Sequence, residues 1–209
     1  DLMRINRSFI VKRSIVGKRE KLKALKVLSK YIRQSVCEES ISIWIAQAEG
    51  RAKDGKDRTD TALLKMLALS RAKDQNFASA INELNIVPVS ISYEYDPCDA
   101  DKARELYIAK KGNPYIKTAF EDLETIKKGF TGYKGRVHVH YGSPSKIEDI
   151  GAENLAADID NQIFRGYRLF PSNIVAWQLL YDSLDVAALR HAWPDEDWFL
   201  AQSKFENRI

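Results

Sequence analysis

Residues 41–46 read Ile-Ser-Ile-Trp-Ile-Ala, a near-continuous apolar run of strand length. Runs of this kind are typical of strands buried on both faces in a parallel sheet. A polar loop with two glycines, Gly50 and Gly55, follows over residues 47–60. A helical pattern then occupies residues 61–70, with Leu63, Leu64, Leu67 and Ala68 on one side. This strand–loop–helix unit is the strongest constraint on the fold, and its neighbours repeat the alternation. Residues 8–12, β-branched and aromatic, read as a short strand. Residues 18–36 read as a helix, because Leu22, Leu25, Leu28, Ile32 and Val36 recur at spacings of three and four with lysines between them.

Further along, Val87, Val89, Ile91, Tyr93 and Tyr95 alternate within a strand over residues 85–95. Pro88 has no N–H to give to a ladder, so that strand is an edge, carries a bulge or begins there. Residues 99–111 form a helix with Asp99 as its N-cap. Thr118 and Glu121 have the spacing of a capping box and open another helix, ending near Gly129. Residues 134–141 are a strand with Val137, Val139 and Tyr141 on one face and Arg136, His138 and His140 on the other. Beyond Gly151 the pattern is helical, broken at Pro171 and Ser172 and again at Pro194. The expected fold class is therefore α/β: a mostly parallel or mixed sheet flanked by helices, with a helical C-terminal extension. Residues 1–150 form the α/β domain, and residues 151–209 the extension packed on it.

Hydrophobic residues make up 44% of the 209 and charged residues 30%, enough for a core and incompatible with wholesale disorder. No apolar run approaches the roughly 20 residues that cross a bilayer as a helix. Arg4, Arg7, Lys12 and Arg13 break up the opening stretch, so no signal peptide is visible. The chain opens at Asp1 and runs without a cap into Leu-Met-Arg, which suggests a segment upstream. Cys37 and Cys98 have no partner motif, and a reducing compartment is the plainer reading. The net charge of +4 hides a gradient. Residues 1–35 carry eleven basic and two acidic side chains; residues 151–209 carry five and nine. A basic first segment suits an anionic partner such as a phosphate, a coenzyme, an acidic lipid or a nucleic acid.

The loop after the apolar run holds the richest chemistry. Gly50-x-x-x-x-Gly55-Lys56 meets most of the Walker A pattern, between a strand and a helix as that pattern requires. Asp57, however, stands where Ser or Thr should hold magnesium, and a carboxylate there repels phosphate. Taken for themselves, Glu49 sits at the carboxyl end of a strand, where ligands of open α/β sheets bind. Gly50 permits a tight turn. Arg51 and Lys53 offer a fork and a point charge suited to phosphate oxygens. The bland alternative is a charged surface loop in which Glu49 pairs with Arg51.

Four features fall in an order that resembles the glycerolipid acyltransferases, which acylate glycerol-3-phosphate or 1-acylglycerol-3-phosphate. Phe9-Ile-Val-Lys12-Arg13 looks like that family's Phe-Phe-Ile-Arg-Arg block. Glu49-Gly50-Arg51, closing an apolar run, is similar to its Glu-Gly-Thr-Arg block with one residue fewer. Lys53 and Gly55 follow as basic and glycine residues of the loop, and Ile86-Val-Pro88-Val-Ser-Ile91 matches its apolar strand around a proline. The resemblance covers roughly residues 1–95. It implies acyl transfer from acyl-CoA or acyl carrier protein to a hydroxyl of glycerol-3-phosphate or a lysophospholipid, at the cytoplasmic face of a membrane, with no separate cofactor or metal. It also implies that Arg13, Glu49, Gly50 and Arg51 line the acceptor phosphate site, with Lys12 and Lys53 adding positive field.

The family's catalytic block is His-x-x-x-x-Asp, in which the His is general base on the acceptor hydroxyl and the Asp orients it. His138, His140 and His191 are followed five positions on by Ser143, Ser145 and Glu196, so the pair is absent from this chain. The resemblance thus implies a domain lacking its N-terminal part, weakly active or inactive alone. The alternative is a non-catalytic or nucleotide- or phosphate-binding α/β module using the loop from Gly50 to Lys56. Among minor features, His138 and His140 have a spacing seen in metal sites, without an identifiable third ligand. The basic residues along 18–33 could meet an anionic membrane, although solvated lysines around a leucine stripe are the plainer reading. Tyr107, Tyr115, Phe130 and Tyr133 lie among basic residues, but no nucleic-acid-binding signature accompanies them.

Overall fold

The computed structural model describes residues 15–48, 53–56, 58–148, 151–181 and 186–208. In chain order the elements are α1 (Lys18–Arg33), α2 (Thr61–Leu67), α3 (Phe77–Asn82), β1 (Val89–Tyr93), α4 (Asp99–Lys110), α5 (Glu121–Thr131), β2 (Val137–Tyr141), α6 (Ala152–Gly166), α7 (Pro171–Leu180), α8 (Ala187–Arg190) and α9 (Trp198–Glu206). They fall into two compact units. Unit 1 comprises residues 1–51, 57–88 and 143–162; unit 2 comprises residues 52–56, 89–142 and 163–209.

Unit 1 is helical. Glu20 in the first turn of α1 and Lys30 and Arg33 in its last turn complement the helix dipole. A π-helical turn, Gln34–Glu38, extends the helix. Ile32, Leu64, Leu67, Ile81, Leu155 and Ile159 are all buried in this unit. Ser29 is the polar pin of this core. Its hydroxyl donates to the Leu67 carbonyl at 2.9 Å and accepts the Ser70 amide at 3.0 Å, so both partners find their hydrogen bond without water. Asn76 caps α3 by accepting from the Ser79 amide at 2.8 Å. Asn82 at its other end exchanges two hydrogen bonds with the backbone of Ile147.

Unit 2 contains the sheet. β1 and β2 pair antiparallel, with Val89 opposite Tyr141, Ile91 opposite Val139 and Tyr93 opposite Val137. Ladder bonds continue past β1, from the Glu94 amide to the Arg136 carbonyl and from the Tyr95 amide to the Lys134 carbonyl. The strand begins one residue after Pro88, as a residue without a donor requires. Cys98 and Cys37 are free thiols; Cys98 is buried and donates to the Thr125 carbonyl. Pro171 opens α7 at a position where its missing N–H costs nothing.

The expected α/β class is overturned. Among the described residues helix accounts for 54%, in nine helices, and the only sheet has two antiparallel strands, with no parallel or mixed sheet. The run over residues 41–46 belongs to no ladder, and Trp44 is 67% exposed, so it is no doubly buried strand. Residues 8–12 lie outside the described residues. The physical reason is that alternating segment types order the elements without choosing which strands pair. The one pair that forms returns through α4 and α5, and an antiparallel pair needs no crossover. The helical pattern beyond Gly151 is observed.

Candidate functional site

The loop singled out by its chemistry is closed at its stem. The Asp60 amide donates to the Gln47 carbonyl at 2.9 Å, bringing the two ends of the loop together. The Asp60 carboxylate then caps α2 by accepting from the Ala62 amide at 2.8 Å. One residue earlier, Thr59 donates twice to the same Asp160 oxygen, from its amide at 2.8 Å and its hydroxyl at 2.7 Å. Both residues are buried, and Arg58 approaches the other carboxylate oxygen at 3.5 Å. A buried carboxylate is costly unless its lone pairs are filled, and here two protein donors and a cation fill them. The exit of the loop is thus fixed to α6. No local signal announces this clamp, because its partners are 101 residues apart.

Of the site residues expected from the sequence, Lys12, Arg13, Glu49, Gly50 and Arg51 lie outside the described residues. Lys53 is described, and its ammonium sits 2.6 Å from the Glu105 carboxylate. A phosphate recruited by Lys53 would compete with that carboxylate. Gly55 has φ of 72°, in the left-handed region that glycine adopts without strain. The Lys56 amide donates to the Asp54 side chain at 3.1 Å, an Asx-type turn, and its own side chain is exposed with no ion pair among the described residues. A Walker A loop places its lysine at the entry to a helix, where free amides face the phosphates. Here α2 starts only at Thr61, and the carboxylates of Asp54 and Asp60 occupy amides on the way. Nothing in this geometry favours a nucleotide.

A second polar cluster lies in unit 2 and was not legible in the sequence. Arg136 donates to Glu94 from its amide, Nε and Nη2 at 2.9, 3.0 and 2.7 Å, and to Glu196 from Nη1 at 2.9 Å. Its guanidinium stacks 4.6 Å from the ring centre of Trp193, which also carries Arg168 at 4.6 Å. Burial pushes the Glu94 pKa up, but the hydrogen bonds from Arg136 outweigh it, and the carboxyl lies below its ordinary range. The same bonds hold Arg136 charged more firmly than usual despite partial burial. With both carboxylates already on the guanidinium, this cluster reads as an ordering element of unit 2.

His138 and His140 stack side by side on β2 with ring centres 6.4 Å apart. Among the described residues no three His, Cys, Asp or Glu side chains converge as a metal site, and no helix is long and apolar enough to cross a membrane. No protein-family model matches the chain, and no curated protein and no solved structure matches it either.

Proposed function

We propose that this chain is the acceptor-binding part of a glycerolipid O-acyltransferase, taking an acyl group from acyl-CoA or acyl carrier protein to a hydroxyl of glycerol-3-phosphate or a lysophospholipid in phospholipid biosynthesis. The observation that carries the reading is the ordered set of blocks: Phe9 to Arg13, then Glu49-Gly50-Arg51 with Lys53, then Ile86 to Ile91 around Pro88. The closed stem of the intervening loop supports it. A loop whose ends are tied by Asp60 and whose exit is clamped by Thr59 and Asp160 loses less entropy on ordering around a phosphate than a free one.

In this reading Arg13 and Arg51 fork onto phosphate oxygens, Glu49 holds an arginine or the glycerol hydroxyl, Gly50 allows close approach, and Lys12 and Lys53 add field. The thioester donor is already activated, so the transfer calls on no metal. Within these 209 residues no His-x-x-x-x-Asp pair is present to take the proton of the acceptor hydroxyl. The chain alone therefore binds the acceptor and turns over little. The working place is the cytoplasmic face of a membrane, where lysolipids are met.

Calorimetric titration with glycerol-3-phosphate, with and without magnesium, tests the reading. Binding should ignore magnesium and weaken by about tenfold to a hundredfold in Arg13→Ala, the loss of charge-assisted hydrogen bonds. Glu49→Ala should weaken it too, and Lys56→Ala should not. Binding that requires magnesium and disappears in Lys56→Ala, or no binding at all, overturns it.

A further inference from the structure

Helix α1 hides one face and leaves the opposite one with a chemistry that its own unit does not use. Ser29 and Ile32 are buried and Leu25 and Leu28 half-buried on the inner face. On the outer face Arg19, Lys23, Lys26 and Lys30, all exposed, follow one another at spacings of four, three and four. That spacing is a single stripe down the helix. Leu22 and the 65% exposed Val27 flank the stripe, one on each side. Glu20 is the helix's one acid.

Among the described residues outside α1, Lys53, Lys65, Lys102, Lys117 and Lys128 each lie within 3 Å of a carboxylate. On α1 the only basic residue in an ion pair among the described residues is Arg33, with Glu83. Four like charges in one row repel one another, and no ion pair of Arg19, Lys23, Lys26 or Lys30 among the described residues offsets that. An anionic surface would.

We infer that the outer face of α1 docks on an anionic lipid bilayer. The stripe meets the headgroup phosphates, and Leu22 and Val27 enter the acyl boundary beside it. Such a pairing of cations with flanking aliphatics is that of helices lying in the membrane interface. A nucleic acid would satisfy the charges but offers the aliphatic side chains no apolar medium. The inference adds a partner to the acyltransferase reading without depending on it; the two join in that a bilayer is where a lysolipid acceptor resides.

Co-sedimentation of the chain with vesicles tests it, using phosphatidylcholine and phosphatidylglycerol in equal parts against phosphatidylcholine alone. The chain should bind the mixed vesicles, fall off as salt is raised, and bind the neutral ones weakly. Each cation near such a surface contributes about fivefold, so replacing Arg19, Lys23, Lys26 and Lys30 together by Gln should weaken binding by roughly a hundredfold or more. Gln keeps the helix propensity of Lys, and unchanged circular dichroism should confirm the fold. The conservative set Arg19→Lys, Lys23→Arg, Lys26→Arg and Lys30→Arg should bind as the parent does. Equal binding to neutral vesicles, full binding by the four-Gln variant, or tighter binding to duplex DNA than to mixed vesicles overturns the proposal. Failure here is distinguishable from failure of the acceptor site: Glu49→Ala should leave vesicle binding intact, and the four-Gln variant should leave glycerol-3-phosphate binding intact.

Discussion

Helices α1 and α5 have the same kind of sequence and opposite orientations. Each alternates apolar and charged residues at helical spacing. In α1 the apolar side is inside, with Ile32 4% exposed, and the cations are outside. In α5 the buried side is small and polar. Thr125 is buried there, its hydroxyl turned back to the Glu121 and Asp122 carbonyls and its own carbonyl taken by the Cys98 thiol. Leu123, Ile126 and Phe130 face solvent instead, Phe130 at 83% exposure. Amphipathic periodicity therefore establishes that a helix has two faces, and only the neighbouring elements decide which is turned inward.

The largest expected effect breaks this comparison at its two ends. Ile32→Ala should destabilise the chain by about 2–5 kcal/mol, because it opens a cavity in the core of unit 1. Phe130→Ala, with a larger side chain lost, should change stability by no more than about 0.5 kcal/mol, because the ring touches little in the folded state. Denaturant titrations of both variants check this. A comparable loss for Phe130→Ala would mean that the outer face of α5 is covered in solution.

What the sequence allowed to be read follows the same line. Helices α1, α2, α4 and α5 were expected nearly where they occur, since caps and spacing are local properties. The six-residue helix α3 was missed: Phe77–Asn82 is too short for a periodic stripe, and its one signal is the Asn76 cap. Residues 41–46 were apolar enough for a strand, but a strand needs a partner, and pairing is settled by residues far away. The same limit governs the candidate site. Loop chemistry was visible from Glu49 to Lys56, whereas the Lys53–Glu105 pair and the Thr59–Asp160 clamp join residues 52 and 101 positions apart. A single chain carries no signal for such contacts.

Helix α6 sharpens the contrast by putting both kinds of residue on one inner face. Leu155 and Ile159 are buried beside Asp160, which is 6% exposed. Asp160→Ala would leave the Thr59 amide and hydroxyl buried without an acceptor. It should cost about 1–3 kcal/mol, less than the Ile32 cavity and more than any change on the outer face of α5. Asp160→Asn keeps an oxygen for Thr59 and should recover part of that loss. Thermal denaturation of the two variants reads the difference. If Asp160→Ala melts with the parent, the clamp does not order the exit of the loop, and the pre-organisation that supports the acceptor site goes with it.

The smallest effect belongs to unit 2 and depends on pH. Burial alone would raise the Glu94 pKa, yet the hydrogen bonds from Arg136 bring it below the ordinary value of 4.5. A carboxyl whose folded pKa is depressed contributes stability that is present above the unfolded value. That contribution is lost as pH falls through the folded value. Glu94→Gln keeps the shape and one acceptor but cannot titrate. The parent should thus be the more stable of the two at neutral pH, and the gap in urea midpoint should narrow as pH is lowered below about 4.5. The Arg136 side chain is 40% exposed, so solvent screens the pair and the gap stays small. A gap that does not change with pH would mean that the Glu94 charge contributes nothing to holding Arg136. The stacking of Arg136 on Trp193, a cation–π contact, would then be what keeps the guanidinium in place.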